Sequence, residues 1–342
     1  MKAMILKQIW DFNQNKNPLE MAELPDPTPG EKEILVKVSA CGVCHTELDE
    51  IEGRLAPPHF PIVLGHQVIG RVEGTGNKAN KFKSGDRVGI AWVHSSCGKC
   101  KYCREGNENL CPNFLATGKD VNGGYATYMT VPEGFAYPIP GIFTDVEAAP
   151  LLCAGAIGYR SLRLTELING QSLGLTGFGA SAHIVLMMVR FIYPSTKVFV
   201  FSRSEQERAF AVELGATWSG DIDHSPPVKL DCIIDTTPVW KPVLEALRNL
   251  APGGRLVINA IRKEEIDKKI LLKLDYTNHL WMEKEITSVA NVSRNDVSEF
   301  LELAAKIPIK PEYQEYTLEE ANLALLELKT RKIRGAKVLK IS

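Results

Sequence analysis

Four closely spaced cysteines are the residues of this sequence whose types and spacing most clearly indicate chemistry. They follow the pattern Cys-x2-Cys-x2-Cys-x7-Cys, as Cys97, Cys100, Cys103 and Cys111. Zn²⁺ in proteins takes four ligands at tetrahedral corners, and thiolates on one loop can supply all four at about 2.3 Å each. Free thiols and an iron–sulfur cluster are the alternatives, and the spacing favours zinc over both. Because four protein ligands leave no open position, the site is predicted to be structural.

Three residues that are far apart in sequence could form a second metal site. Cys44 lies in CGVCHTELD, His66 in PIVLGHQVIG and Cys153 in APLLCAGAIGY. Taken singly, each has an ordinary structural interpretation, since a buried cysteine behaves as a small apolar residue. Together they make a Cys₂His set, which leaves the fourth zinc position open for catalysis. The other thiols, Cys41 and Cys232, lie in strand-like segments and are expected in the core.

A glycine-rich turn predicts the binding of a dinucleotide. The segment GFGASA begins at residue 177, after a predicted strand (173–176) and before a predicted helix (180–193). In the G-x-G-x-x-G/A pattern, backbone N–H groups and the helix N-terminus receive a pyrophosphate. Glycines are common at such turns, and the position between strand and helix is what favours the cofactor interpretation. The predicted contacts come from Gly177, Phe178, Gly179 and Ala180.

The residues after the next predicted strand bear on the choice of cofactor. That strand ends at Phe201 and is followed by Ser202, Arg203 and Ser204. An NAD site usually places an acidic residue here, whereas a hydroxyl group and a cation suit the 2′-phosphate of NADP. Alternatively, Arg203 is only a solvated surface residue and Ser204 only caps its helix, in a capping box with Glu207. The sequence predicts NADP in preference to NAD.

The predicted secondary structure differs between the two parts of the chain that contain these residues. At 342 residues the chain is long enough for two domains. Its first part has short β-type runs, such as 33–39, 69–73 and 87–91, and after Cys153 strands alternate with helices. This order predicts an α/β protein with a β-rich domain and a doubly wound parallel sheet.

Composition and charge narrow the class of protein further. Hydrophobic residues make up 44%, charged residues 24%, and the formal net charge is −1. No global field therefore favours nucleic acid or an anionic membrane surface. No stretch approaches the roughly 18 apolar residues that a membrane span needs, and the first residues do not resemble a signal peptide. The expected compartment is the cytoplasm.

Taken in order, the motifs resemble those of the zinc-dependent medium-chain alcohol dehydrogenases. They are GVCHT, GHxVxG, GDRVGIAW, the four-Cys loop, LCAG, GFG, ELGA and IRG, and they extend over essentially the whole chain. The resemblance implies a GroES-like catalytic domain (1–155 and 290–342), interrupted by a Rossmann cofactor domain (156–289). It implies an active site in the cleft between the domains, with Cys44, His66 and Cys153 on a catalytic zinc. With the four-Cys site, this gives two zinc ions per chain.

The resemblance also implies roles for residues that follow Cys44. Thr46 corresponds to the hydroxyl that takes the alcohol proton, and His45 to a residue near the cofactor pyrophosphate. Glu47 stands where an acidic residue orients the zinc histidine. Asp49 replaces the histidine that completes the proton relay in many relatives, and a carboxylate would relay protons in a different pH range.

Two further departures from the family pattern concern charge near the metal and the cofactor. Gln67 follows the zinc histidine, where many relatives have Glu. Near the end of the chain, residues 333–336 read IRGA where many relatives read IxGR. A pyrophosphate-binding arginine is therefore expected to be missing, with Lys337 or Arg334 as candidates to replace it.

The resemblance places Ile51 and Trp92 in the substrate pocket. Members of the family that are specific for small alcohols often have a second Trp at the position of Ile51, so Ile51 predicts room for medium-chain or aromatic substrates. Alternatively, the side chains of Ile51 and Trp92 both belong to the core. The expected function is alcohol dehydrogenase or aldehyde reductase activity on primary or secondary alcohols. A polyol dehydrogenase is disfavoured because such relatives often have an acidic residue at the position of Cys153. A non-catalytic zinc protein is disfavoured by the complete ligand set.

Assembly is the last expectation. The final strand of the cofactor sheet, near residues 285–290, is predicted to offer an edge that pairs with a second copy, as in the resembled family. The chain is therefore expected to form a homodimer or a homotetramer with isologous contacts.

Overall fold

The protein forms two compact units, and the second is inserted into the sequence of the first. The computed structural model describes residues 1–307, 309–330 and 335–341. One unit comprises Met1–Cys153 and Val292–Ser342, and the other Ala154–Asn291. The chain thus leaves the first unit after Cys153 and returns to it at Val292.

The strands and helices are numbered in chain order. The strands are β1 (Lys2–Leu6), β2 (Leu19–Glu23), β3 (Glu33–Val43), β4 (Ile62–Val63), β5 (Val68–Thr75), β6 (Arg87–Ile90), β7 (Val93–Ser95), β8 (Leu115–Ala116), β9 (Tyr128–Pro132), β10 (Ala136–Pro138), β11 (Ser172–Thr176), β12 (Lys197–Phe201), β13 (Trp218–Gly220), β14 (Leu230–Asp235), β15 (Leu250–Ile258), β16 (Glu285–Ser288), β17 (Tyr313–Thr317) and β18 (Ala336–Lys340). The α-helices are α1 (His45–Ile51), α2 (Lys101–Arg104), α3 (Asp145–Ala148), α4 (Ala154–Thr165), α5 (Ala180–Ile192), α6 (Glu205–Glu213), α7 (Lys241–Asn249), α8 (Tyr276–His279), α9 (Arg294–Ala304) and α10 (Ala321–Lys329). Short 3₁₀ helices lie at Glu108–Leu110, Glu133–Phe135, Ala149–Leu152, Lys268–Lys273 and Leu318–Glu320.

The first unit is built around the long strand β3. Its sheet has the order β10-β6-β5-β3-β18-β17, and β9 also pairs with β3. Ile34, Val36 and Val38 are fully buried while Lys37 is exposed, which is the alternation of a strand with one face on the core. The final residues of β3, Cys41 included, are buried on both faces. Because β3 continues directly into α1, the sheet fixes the position of the residues that start that helix.

The second unit is a six-stranded parallel sheet with the order β13-β12-β11-β14-β15-β16. Numbered within the unit, this is the order 3-2-1-4-5-6 of the doubly wound dinucleotide-binding fold. Its central strands are apolar on both faces, as strands covered by helices on each side must be. Leu173, Leu175 and Cys232 are buried accordingly. The predicted α/β class and doubly wound sheet are confirmed.

The last strand of the chain completes the sheet of the first unit. β18 pairs antiparallel with β3, so that Lys337 lies opposite Val43. The Lys337 side chain is buried and its Nζ donates to Gln314 Oε1 at 3.0 Å, Tyr316 OH at 2.6 Å and Glu327 Oε2 at 2.8 Å. Lys337 is therefore engaged within its own unit, which argues against its use as a replacement for the missing arginine. Arg334, the other candidate, lies outside the described residues.

Among the residues that the structure describes, no helix has both the length and the apolar composition that a membrane span requires.

The buried ammonium group of Lys337 gives a test of this packing. Lys337→Ala removes a buried ammonium group together with the three hydrogen bonds that it donates, and should lower the free energy of unfolding of the first unit by about 2–3 kcal/mol. Lys340→Ala is the matched control, because its ammonium group lies at the surface, 3.6 Å from Glu315, where an ion pair contributes about 0–1 kcal/mol. Calorimetry of both variants would contradict the interpretation if their unfolding temperatures fell equally.

Candidate functional site

The structure brings Cys44, His66 and Cys153 together from three separate segments. Cys44 caps the start of α1, His66 lies between β4 and β5, and Cys153 follows the 3₁₀ helix Ala149–Leu152. Cys153 Sγ lies 4.0 Å from Cys44 Sγ and 3.5 Å from His66 Nε2. All three ligand atoms lie within 4.8 Å of one another. Ligands at 2.0–2.3 Å from a tetrahedral zinc would be separated by about 3.5–3.8 Å. The donor set and its spacing therefore fit zinc.

Glu47 connects two of these ligands. Its Oε1 lies 2.6 Å from His66 Nδ1, and its Oε2 accepts a hydrogen bond from the Cys44 backbone N–H at 2.8 Å. Both side chains are almost fully buried. Burial raises the pKa of Glu47, and the adjacent His66 opposes that rise. Because Nδ1 is engaged by Glu47, the Nε2 atom of His66 is the one that faces the thiols, as metal binding requires.

The protonation of the thiols is also suited to a metal. A hydrogen bond from Cys153 lowers the pKa of the Cys44 thiol well below its usual value, against the effect of burial. The same pairing, together with burial, raises the pKa of Cys153. Cys44 is therefore the more readily deprotonated thiol of the pair. A divalent cation bound there would favour the thiolate form of both cysteines, since thiolates are the metal-binding form of cysteine.

The other predicted residues of α1 lie in different surroundings. Thr46 is buried, and its Oγ1 lies 3.6 Å from Cys44 Sγ. His45 begins the helix and is exposed. Asp49 is buried and accepts a hydrogen bond from Arg54 Nε at 2.5 Å. A relay through Asp49 would have to operate beside this guanidinium, a partner that the sequence did not indicate.

Ile51 and Trp92, the predicted pocket residues, are both buried in the core cluster of the first unit. The Trp92 ring meets the His66 ring edge to face, with centroids 5.1 Å apart. Trp92 therefore contacts a residue of the candidate metal centre. Ile51 is 0% exposed and packs in the core. It can therefore affect a substrate pocket only by occupying less space than a larger side chain would.

One carboxylate of α1 was not singled out from the sequence. Glu50 is fully buried, and neither of its oxygens accepts a hydrogen bond from the described residues. Burial raises its pKa well above the usual value, and the nearby Glu47 adds to the rise. The only sequence signal is its spacing, three residues after Glu47 on the same helix, and that spacing alone indicates no function.

The four-Cys loop forms a second, separate cluster. Cys103 Sγ lies 3.9 Å from Cys97 Sγ and 3.5 Å from Cys100 Sγ, and Cys111 lies in the same group. Gly98 and Gly106 turn the loop with φ of +70° and +73°, values that glycine adopts without strain. The cluster fits a tetrahedral zinc bound by four thiolates.

An ion pair between a buried carboxylate and a partly exposed arginine attaches this loop to the rest of the first unit. Glu108 is 1% exposed, and its Oε1 lies 2.5 Å from Arg294 Nη2, at the start of α9. The Arg294 backbone N–H also faces Glu108 Oε2 at 3.4 Å. The loop is therefore joined to a helix that follows it by almost two hundred residues in sequence.

The glycine turn lies at the carboxyl edge of the parallel sheet, between β11 and α5. Gly177 has φ of +78°, and its N–H donates to Phe201 O at the end of the neighbouring strand, at 2.8 Å. Gly179 caps α5, which begins at Ala180. A Cβ on Gly179 would meet nothing within 4 Å, so the space above the helix N-terminus is open. This arrangement fits a dinucleotide pyrophosphate.

The residues after β12 are arranged differently from the sequence prediction. Ser204 caps α6 and accepts a hydrogen bond from the Glu207 N–H at 3.3 Å, as expected. The predicted capping box is nevertheless incomplete, because the Glu207 carboxylate turns to Ser202 Oγ, 2.5 Å away. A carboxylate therefore lies beside the end of β12, although no acidic residue directly follows that strand in sequence. Arg203 is exposed.

Comparisons with known proteins give the same assignment. Residues 30–141 match the alcohol dehydrogenase GroES-like domain family. The chain is 44% identical to a probable alcohol dehydrogenase, AdhA, of Mycobacterium tuberculosis, with 95% of this chain and 93% of that protein covered. It is 32% identical to an alcohol dehydrogenase of Geobacillus stearothermophilus, with coverage of 96% and 97%. A cinnamyl alcohol dehydrogenase structure from Sorghum bicolor superimposes with a TM-score of 0.83 at 26% identity, with coverage of 99% and 97%.

The fold and the two cysteine clusters define an oxidoreductase of the class that pairs a GroES-like domain with a Rossmann domain, as predicted. The chain belongs to the zinc-dependent medium-chain alcohol dehydrogenase family, whose enzymes use NAD or NADP to interconvert alcohols with aldehydes or ketones.

The Glu47 bridge predicts how the metal affinity responds to mutation. Glu47→Ala removes the acceptor that orients His66, and should weaken zinc binding at Cys44, His66 and Cys153 by about 10- to 100-fold. Glu52→Ala is the matched control, since that carboxylate pairs with Arg54 and Lys329 at the far end of the same helix. Competition with a chromophoric chelator measures both. Equal zinc affinity in the two variants would contradict this role for Glu47.

Proposed function

We propose that Cys44, His66 and Cys153 hold the catalytic zinc of an alcohol dehydrogenase or aldehyde reductase. The observation that carries this proposal is the clustering of two thiols and one imidazole that can occupy three corners of a tetrahedron. Zinc in such a site supplies Lewis acidity to an alcohol or carbonyl oxygen. The proposed catalytic domain comprises residues 1–155 and 290–342, and the proposed cofactor-binding domain comprises residues 156–289. Each boundary lies two residues from that of the compact unit to which it corresponds.

The residues next to the ligands would handle the proton. Thr46 Oγ1, 3.6 Å from Cys44 Sγ, is close enough to the ligand set to accept the proton of a substrate hydroxyl. Its hydroxyl must then pass a proton on, and Asp49 in the next turn is the proposed continuation. Glu47 keeps His66 oriented throughout. His45, exposed at the start of α1, would interact with the cofactor pyrophosphate.

We further propose medium-chain or aromatic alcohols as substrates. Trp92 supplies an aromatic surface next to His66, and Ile51 leaves more space than a second tryptophan would. The similarity to a cinnamyl alcohol dehydrogenase supports an aromatic substrate. A polyol dehydrogenase is disfavoured because Cys153 is part of the cluster.

The proposed cofactor site comprises the glycine turn and the segment after β12. The turn residues Gly177, Phe178, Gly179 and Ala180 would receive the pyrophosphate. Arg203, whose side chain is exposed, favours the 2′-phosphate of NADP, with Ser202 and Ser204 beside it. The preference for NADP is thus a proposal that depends on Arg203, and the Glu207 carboxylate opposes it.

Two zinc ions per chain, one catalytic and one structural, are part of the proposal. Both clusters have ligand spacings that suit tetrahedral zinc. None of the eight cysteines forms a disulfide, which is consistent with the proposed location in the reducing cytoplasm.

Two cysteine variants test the roles of the clusters. Wild type should oxidise aliphatic or aromatic alcohols with NAD⁺ or NADP⁺. Cys153→Ser should abolish that turnover with little loss of thermal stability, because it removes a ligand of the open site. Cys100→Ser should mainly destabilise the lobe around residues 97–111. Metal content, calorimetry and a substrate screen distinguish them, and loss of both metals with equal unfolding from either variant would contradict the assignment.

We also propose that the protein assembles through β16. This strand lies at the end of the parallel sheet, and Ile286 on it is 47% exposed. The preceding segment adds Leu272 at 89% and Trp281 at 53% exposure. An unpaired edge next to exposed apolar side chains is suited to an isologous contact with a second copy, giving a homodimer or a homotetramer.

Light scattering at micromolar concentration measures this assembly. Wild type should have at least the mass of a dimer, and Ile286→Lys should shift the population toward monomer by placing a charge in the contact. Val212→Lys, on α6 near the other end of the sheet, is the matched control, because Val212 is similarly exposed at 53%. A monomeric wild type would exclude the proposal.

A further inference from the structure

A network of hydrogen bonds fixes the Glu207 side chain at the end of β12. Ser202 is 3% exposed, and its Oγ donates to Glu207 Oε2 at 2.5 Å while accepting from the Ser204 N–H at 3.1 Å. Ser204 Oγ in turn accepts from the Glu207 N–H at 3.3 Å. The serine hydroxyl is therefore committed in both directions. The carboxylate also lies in the first turn of α6, where the helix dipole favours a negative charge.

The guanidinium group of Arg208 is bonded to the backbone after β12 and not to the Glu207 carboxylate. Arg208 Nη1 donates to the carbonyl oxygens of Ser202 at 2.7 Å and Arg203 at 3.1 Å. It stabilises the loop by satisfying these carbonyl groups. Within the described residues, the second oxygen of the Glu207 carboxylate accepts no hydrogen bond, since the contact with Ser202 uses Oε2. It remains available to accept one from a ligand.

Glu207 lies at the same sheet edge as the glycine turn. The Gly177 N–H donates to Phe201 O, one residue before Ser202. On α6, the Phe210 ring packs against the Phe178 ring with centroids 5.9 Å apart. The strand end and the helix are thus both attached to the turn. A dinucleotide whose pyrophosphate lies at that turn extends its adenosine ribose toward the end of the second strand of the fold.

We propose that Glu207, held by Ser202, is the residue that discriminates between NAD and NADP in this protein. The inference rests on the proposed binding of the cofactor at the glycine turn. The carboxylate accepts hydrogen bonds from the ribose hydroxyl groups of NAD. It repels the 2′-phosphate of NADP, which Arg203 attracts. The two side chains act in opposite directions, so the protein binds both cofactors and Glu207 limits the preference for NADP.

Glu207 has a different role from Ser202, which directly follows β12 in sequence. Ser202 cannot donate to a 2′-phosphate without releasing Glu207, because its single hydroxyl proton is already used. Its role is to position the carboxylate. Removing the charge of Glu207 should therefore have a larger effect on cofactor choice than changing Ser202, which touches the ligand only through Glu207.

Direct binding titrations of the zinc-loaded, full-length protein test the proposal. NADH and NADPH are titrated separately, with cofactor fluorescence and calorimetry as readouts that do not depend on turnover. Glu207→Gln should raise the affinity for NADPH relative to NADH by about 10-fold or more, the size of one charge-assisted hydrogen bond. Ser202→Ala should change the ratio in the same direction but less. Thermal midpoints confirm that both variants fold.

Glu205→Gln is the matched control. Glu205 is also in the first turn of α6 and carries the same charge, but it is exposed and not bonded to Ser202. If Glu207 acts by direct contact with the cofactor, Glu205→Gln should leave the ratio of the affinities for NADPH and NADH unchanged. If Glu205→Gln and Glu207→Gln shift the ratio equally, or Glu207→Gln does not shift it, the proposal is overturned. If wild type binds neither cofactor, the proposed function itself fails, which is a distinguishable result.

Discussion

The buried carboxylate of Glu47 joins the backbone N–H of Cys44 to the imidazole of His66. It is enclosed on all sides, and a charged group in such a place is costly unless it is fully paired. Its two partners come from different segments, one at the end of β3 and the other before β5. The strands β3 and β5 are themselves paired, with Cys41 opposite Val68. The strand pairing and the Glu47 carboxylate therefore both hold Cys44 and His66, the two proposed metal ligands, at a fixed separation.

The two units position their functional residues by different means. In the second unit, the glycine turn and the end of β12 are close because neighbouring parallel strands end at the same edge. Each βα step there is local, so its residues are near in sequence as well as in space. In the first unit the cluster combines Cys44 with Cys153, and the four-Cys loop is attached to Arg294. Such contacts exist only once the whole unit is assembled.

This difference explains how much the sequence could predict. The four-Cys loop and the GFG turn are local patterns, and their spacing alone indicated a metal and a dinucleotide. The three dispersed residues, Cys44, His66 and Cys153, were predicted as ligands by combining residues that are ordinary when taken singly, together with a family resemblance, and the structure places them within 4.8 Å of one another. Alternating and continuous apolar runs were sufficient for the strands and for the doubly wound sheet, because burial determines those patterns.

Side-chain partners could not be predicted in the same way. Glu207 was expected to complete a capping box, a common use for a residue three positions after Ser204. In the structure, its carboxylate instead accepts a hydrogen bond from the hydroxyl group of Ser202. The capping-box conformation and the observed one differ only by a rotation of the Glu207 side chain. The Arg54 partner of Asp49 and the three partners of Lys337 likewise depend on how elements pack. Sequence spacing carries no information about such choices.

The pairing of β18 with β3 has a consequence for the order in which the protein can form during synthesis. Residues 336–340 are translated after the whole of the second unit, yet they lie beside the strand that leads into Cys44. The parallel sheet of Ala154–Asn291 is contained within one continuous stretch and can fold before residues 336–340 have been synthesised. The sheet behind Cys44 is completed only once β18 has joined it. The first unit is therefore completed after the second can fold, and until then its thiols depend on the reducing capacity of their surroundings.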